Sequence, residues 1–116
     1  MKHFEPIREA LLYIDSHVAE PITMELLAER SHFSPYYFHR LFTAVVGKPL
    51  AAYIRDRRIY AACRQLTGTQ KSIQEIALDC GFQSAQAFSR AFKNLIGMPP
   101  KEYRRRQLIP YPTTAQ

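Results

Sequence analysis

The stretch LAERSHFSPYYFHRLFTAVVGKPLAAYIR, residues 27–55, is written a second time as IALDCGFQSAQAFSRAFKNLIGMPPKEYRR, residues 76–105. Ala28 pairs with Ala77, and Phe33 with Phe82, at a spacing of 49. Beyond them Phe38 and Phe88, Arg40 and Arg90, Phe42 and Phe92, Gly47 and Gly97, Pro49 and Pro99, and Tyr53 and Tyr103 all stand 50 apart. One residue has therefore been inserted between Phe82 and Phe88, in what reads as a turn, where an insertion costs least. Two copies are too few for a solenoid, which needs three or more repeats to bury a continuous core. The repeat reads instead as two small helical subdomains.

Pro, Ser and Thr open segments along the chain and Gly closes them, the asymmetry expected of helices. The first helix is expected from about Pro6 to His17, with Ile7, Ala10, Leu11 and Ile14 on one face and Pro21 enforcing its end. Thr23 caps a second that lasts to about Arg30 and turns Met24, Leu27 and Ala28 inward; Ser31, His32 and Phe33 make the turn. Ser34, followed by Pro35, opens a third that Gly47 closes. Pro49 starts a fourth, which meets no breaker before Thr67 and Gly68. Ser72 and Glu75 form a capping box for the fifth, which carries Ile73, Ile76 and Ala77 inward. Ser84 caps the sixth, Gly97 closes it, and Pro99-Pro100 opens a last helix over Lys101 to about Arg106. The expected fold is all-α: seven helices in two tandem, homeodomain-like helix-turn-helix subdomains, 1–48 and 68–107, joined by a linker helix over 49–67. Residues 108–116, with Pro110 and Pro112, read as a flexible tail or a truncated linker.

On the third helix Phe38, Leu41, Phe42 and Val45 follow the i, i+3, i+4, i+7 spacing of a buried stripe, leaving Tyr36, His39, Arg40 and Thr43 on an outer face. The sixth repeats the division, with Phe88, Ala91, Phe92 and Leu95 inward and Gln86, Ser89, Arg90 and Lys93 outward. Arg pairs bidentately with guanine, Gln with adenine, and Ser or Thr with several base edges, so both outer faces suit a DNA major groove. An ordinary solvated face accounts for either stripe alone. The same partition found twice on a basic chain favours double-stranded DNA.

Gly81-Phe82, Phe88-Ser89-Arg90-Ala91-Phe92-Lys93, Gly97-Met98-Pro99-Pro100 and Tyr103, preceded by Ile73, Ile76 and Ala77, resemble the signature of the AraC/XylS transcriptional regulators, over about residues 7–106. The resemblance implies a sequence-specific regulator, an activator, whose Tyr36, His39 and Arg40 reach base edges in the first motif. In the second motif Ala85, Gln86, Ala87 and Arg90 occupy the equivalent reading positions. Ala85 and Ala87 depart from the polar residues of relatives; they cannot hydrogen-bond, although they can touch a thymine methyl. Polar readout there falls to Gln86 and Arg90. Relatives commonly contact RNA polymerase, which makes it the expected protein partner, and many carry a ligand-sensing domain for which this chain has no residues left. The chain is expected to be either a stand-alone activator or the DNA-binding piece of a longer regulator.

Lys48, Arg55, Lys93, Lys101 and Arg104 flank the reading helices and are the expected phosphate contacts. Arg57, Arg58 and Arg64 on the linker helix, and the run Arg104-Arg105-Arg106, read equally well as solvated surface. A linker of about 18 residues spans roughly 27 Å, short of the roughly 34 Å between successive major grooves on one face of straight DNA. The protein should therefore bend its site or engage one groove fully. The internal repeat replaces a dimer, so a monomer should suffice.

A chain of 116 residues with 47% hydrophobic composition fits one ordinary domain or two very small ones with a core. The formal charge of +6 and a pI near 9.6 favour an anionic partner without specifying nucleic acid. No apolar run approaches a membrane span, and Met1 to Pro6 lacks a signal-peptide apolar region, so a cytoplasmic bacterial protein with no membrane partner is expected. Cys63 and Cys80 make no Cys-x-x-Cys pair and read as buried free thiols. His3, His17, His32 and His39 are too dispersed for a metal site, and no nucleophile sits in a strained elbow or glycine-rich cradle. No cofactor, metal or catalytic residue is expected, and the chain is not read as an enzyme. Tyr13, Tyr53, Tyr60 and Tyr103 suit packing better than stacking of single-stranded bases. The reading from another class is a protein-interaction module, a helical bundle docking RNA polymerase with little DNA specificity of its own. Salt-sensitive, sequence-preferring binding to duplex DNA separates the two.

Overall fold

Two ladders of aromatic rings, one per copy of the repeat, organise the protein. In the computed structural model, which describes residues 4–107, Phe38 stands 6.0 Å from Phe42, and Phe42 meets Tyr53 edge-on at 5.7 Å. Fifty residues on, Phe88 stands 5.6 Å from Phe92, and Phe92 meets Tyr103 edge-on at 5.4 Å. Both edge-on contacts close at an interplanar angle of 76°, the T-shaped geometry that the ring quadrupole favours.

The described residues form seven helices and no strand: α1 (Glu5–Ser16), α2 (Met24–Ser31), α3 (Pro35–Val46), α4 (Leu50–Gly68), α5 (Ile73–Asp79), α6 (Ala85–Ile96) and α7 (Pro100–Arg106). The tail expected over 108–116 lies outside the described residues. The chain divides into two compact units, Met1–Ile54 and Arg55–Gln116, with the division falling within α4.

In the first unit Ile7, Ala10 and Ile14 of α1, Leu27 and Ala28 of α2, Phe38 and Phe42 of α3, and Leu50 and Ile54 of α4 make one buried cluster. In the second, Ile59, Ala62, Cys63 and Leu66 of α4 pack with Ile76, Ala77, Cys80, Phe88, Phe92 and Tyr103. The aromatic ladder is the spine of each cluster. Fully burying one phenylalanine side chain is worth about 1.5–3 kcal/mol, so the rings carry much of what a unit this small can gather.

Local chemistry sets the helix ends. Ser34 and Ser84 accept hydrogen bonds from the backbone N–H of Tyr37 and Ala87, both at 3.1 Å, and fix the first turns of α3 and α6. Gly47 and Gly97 end those helices in left-handed backbone, φ 91° and 96°, with no atom within 4 Å of where a Cβ would stand. The dihedral, rather than crowding, calls for glycine. Ser72 and Glu75 close a reciprocal capping box on α5 at 2.9 and 3.0 Å. The inserted residue of the second copy is Gln83, standing between Phe82 and the Ser84 cap in the turn before α6.

Two sequence expectations, both about the reach of buried faces, need correction, whereas α1 ends at Ser16, one residue from the expected His17: Ser16 Oγ donates to the Leu12 carbonyl at 2.9 Å and the His17 ring meets the Tyr13 carbonyl at 2.8 Å. These side chains take over the last carbonyls of the helix. Val45 and Leu95 are exposed, at 40% and 37%, and Val46 and Ile96 pack on the two cores instead. The buried residue of each last turn is thus one position later than simple periodicity places it. Thr43 is half-buried with its Oγ1 enclosed, so it does not stand on the outer face of α3.

Cys63 and Cys80 are buried in the second core and form no disulfide. Burial, helped by the neighbouring Asp79 carboxylate, pushes the Cys80 thiol from its ordinary value near 9 up to about 11. The fold thus favours the neutral thiol. Its contribution to stability is complete below the ordinary value and is lost as pH rises through 9 toward 11. Native protein at pH 7–8 should resist iodoacetamide at both cysteines, and urea should expose both together; rapid native alkylation of Cys80 would contradict its burial.

The turn between α2 and α3 holds one further asymmetry. His32 adopts φ 63° where the second copy has Gly81 at φ 93°, and each is followed by the same return bond, Phe33 N–H to the Ala28 carbonyl at 3.0 Å and Phe82 N–H to the Ala77 carbonyl at 2.9 Å. A side chain in this region costs about 1–2 kcal/mol. His32→Gly is expected to stabilise the protein by about 0.5–1 kcal/mol, and Gly81→Ala to destabilise it by about 1–2 kcal/mol, in urea unfolding. A loss of stability in His32→Gly would show that the imidazole makes a compensating contact.

Candidate nucleic-acid interface

The outer face of each third helix is set by the ladder beneath it. In the first unit, burial of Phe38 and Phe42 leaves Tyr36, His39 and Arg40 exposed, at the i, i+3, i+4 positions that share one helix face. Tyr36 is 72% exposed, an unusual placement for so large a ring. Its hydroxyl accepts a hydrogen bond from Arg40 Nη1 at 3.2 Å. These three expected base-reading residues therefore stand together. Lys48 is exposed just beyond the Gly47 cap of the same helix.

In the second unit Gln86 and Arg90 are exposed on α6, and Ala85 and Ala87 are half-buried beside them. Ala87 and Arg90 line an open depression of about 500 Å³ together with Arg55, Asp56, Ala91, Asn94 and Leu95. Arg55, expected at a phosphate, and Arg90, expected at a base, thus border one concavity. Sequence reasoning passed over Asn94 and Asp56. Asn94 follows Arg90 by one turn, and that spacing was the available signal; Asp56 carries no signal in the local pattern. Lys93 is exposed on α6 and Lys101 on the first turn of α7.

Arg104 has a different neighbourhood. Its Nε donates to the Leu66 carbonyl at 2.9 Å and its Nη2 to the Thr69 carbonyl at 3.2 Å. The guanidinium so satisfies carbonyls at and just beyond the end of α4, where the helix dipole also favours a cation. Arg105 and Arg106 both pair with Glu102, at 2.6 and 2.9 Å, and these bonds hold the Glu102 carboxyl below the usual carboxylate range. Each member of the Arg104-Arg105-Arg106 run therefore has a partner within its own unit. Among the described residues no group of three or more His, Cys, Asp or Glu is placed to hold a metal ion, and His3 lies outside those residues. No helix among the described residues is long and apolar enough to cross a membrane.

A family model described as a helix-turn-helix domain matches residues 27–106. The chain is 36% identical over 106 residues to the regulatory protein SoxS of Escherichia coli (strain K12), covering 91% of this chain and 99% of SoxS. Among solved structures, an AraC-type DNA-binding-domain regulator from Chromobacterium violaceum superposes with a TM-score of 0.84 at 30% identity, covering 90% of this chain and 94% of that one. The DNA-binding domain of AdpA, a global transcriptional factor solved in complex with a target DNA, superposes with a TM-score of 0.82 at 30% identity, covering 87% and 91%.

The different settings of the basic residues can be checked on the free protein. Arg104→Ala should lower stability in urea by about 1–2 kcal/mol, through loss of charged hydrogen bonds to two carbonyls, whereas Lys101→Ala should change it by less than about 0.5 kcal/mol. Equal effects in the two variants would contradict the capping role of Arg104.

Proposed function

The chain belongs to the AraC/XylS family of helix-turn-helix transcriptional regulators, and from that premise we propose that α3 and α6 are its two reading helices, each entering a major groove of an asymmetric site. It is a DNA-binding regulator of transcription, and activation is the mode this reading favours. The observation that carries the assignment of helices is the partition seen twice: an aromatic stripe buried on one face, and Tyr36, His39 and Arg40, or Gln86 and Arg90, exposed on the other.

The roles follow from the chemistry. Arg40 and Arg90 offer the planar fork that matches guanine O6 and N7, and Gln86 suits adenine N6 and N7. His39 supplies one further ring nitrogen. Ala85 and Ala87 give only apolar contact, so the second head reads fewer polar edges than the first. Lys48, Arg55, Lys93 and Lys101 serve the phosphates, which position the helices without reading sequence. Arg104 acts first on its own fold. A bent site, or one groove engaged fully, belongs to the same reading. RNA polymerase is the protein partner it implies, since a regulator seated on a promoter acts by contacting or obstructing that enzyme.

Two substitutions separate reading from anchoring. Arg40→Ala is expected to flatten base preference at one position of the site while leaving affinity for random duplex nearly unchanged. Lys93→Ala is expected to weaken binding to all duplexes and to reduce the slope of log affinity against log salt by about one. Fluorescence anisotropy across a salt series measures both. Equal loss on specific and random DNA for Arg40→Ala would remove α3 from direct readout. One protein per site is expected by light scattering of the complex; an obligatory dimer on a single site would defeat the two-headed reading.

A further inference from the structure

Tyr36 and Arg40, two of the expected reading residues, are already in contact without DNA. The Arg40 guanidinium carbon lies 5.6 Å from the centre of the Tyr36 ring, and its Nη1 donates to the phenol oxygen at 3.2 Å. Both side chains are exposed on α3. An arginine in that position ordinarily samples many rotamers, and fixing it on binding costs conformational entropy. A surface pair one helical turn apart adds only a few tenths of a kcal/mol to stability. Its consequence therefore lies in where the guanidinium points. The phenol takes one Nη1 proton and leaves the Nε–H and Nη2–H edge available, and that edge is a fork able to meet guanine O6 and N7. The second head is built differently. Gln86 stands where the first copy has Tyr36, and Arg90 borders a depression shared with Arg55, Asp56 and Asn94.

We propose that Tyr36 is a positioning residue, acting through Arg40 to hold the guanidinium ready for guanine, rather than a reader of a base pair of its own. The inference rests on the reading of α3 as a DNA-facing helix. Tyr36 is then a second determinant of specificity at the base pair Arg40 reads. The hydroxyl aims the fork, and the ring supports it from one side through the cation–π attraction.

The test uses the full chain and a duplex carrying its preferred site, selected from a random pool, with every single base-pair variant of that site. Arg40→Ala first identifies the pair at which discrimination flattens. Tyr36→Phe, which keeps the ring and removes the hydroxyl, should then reduce guanine discrimination at that same pair by about threefold to tenfold. Tyr36→Ala should reduce it further, and neither substitution should add to the loss already caused by Arg40→Ala. Thermal unfolding midpoints should stay at the parent value, since the side chain is 72% exposed. Unchanged discrimination in Tyr36→Phe, or a Tyr36→Ala loss at a different pair that adds to that of Arg40→Ala, overturns the inference while leaving α3 a reading helix. Intact discrimination at every pair in Arg40→Ala overturns the inference and the assignment of α3 together.

Discussion

The edge-on contact between the second phenylalanine of α3 or α6 and the tyrosine of the next helix is the constraint on which the rest depends. Phe42 against Tyr53, and Phe92 against Tyr103, tie α3 to α4 and α6 to α7 across a glycine turn. That contact fixes the rotation of the helix about its axis, and the rotation decides which residues reach solvent. Removing a buried phenylalanine costs about 3–5 kcal/mol, a large share of the 5–15 kcal/mol that keeps a domain folded. In a unit of some fifty residues the ring serves stability and the orientation of the outer face at once. Tyr103 also keeps its hydroxyl enclosed in the core, where it makes no hydrogen bond, and burial above all, then the nearby Cys63, raises the phenol well above its ordinary value. The ring is held for its packing.

Much of this was legible in the chain because it is encoded locally. Ser34, Ser84, Gly47 and Gly97 announce helix ends through capping and left-handed backbone, and the doubled spacing of Phe38, Phe42 and Tyr53 announces the ladder. What the pattern could not carry depends on contacts made at a distance. Helical periodicity assigns Val45 and Leu95 to the core, whereas Val46 and Ile96 are the residues that pack there. Arg104 sits in a basic run and reads as a phosphate contact from sequence; its carbonyl partners lie 38 and 35 residues away and leave no mark on the local pattern.

The two heads keep the same core and diverge where the core ends. Ala28 and Ala77, Phe38 and Phe88, and Phe42 and Phe92 are all buried, while the outer positions exchange tyrosine for glutamine and histidine for serine. Even the shared arginines have different company, Arg40 with a phenol one turn away and Arg90 beside Arg55 and Asp56. A duplicated scaffold with unequal faces can read two unlike half-sites from one chain. It thereby escapes the palindromic symmetry that a dimer of identical heads imposes.

Selection of bound sequences from a random duplex pool by the purified chain tests that claim most directly. The account predicts a single asymmetric consensus in two parts, with centres about one helical turn, or 10 base pairs, apart, and with more sequence information in the part read by α3. A palindromic consensus, or no enrichment over the starting pool at low salt, would contradict it.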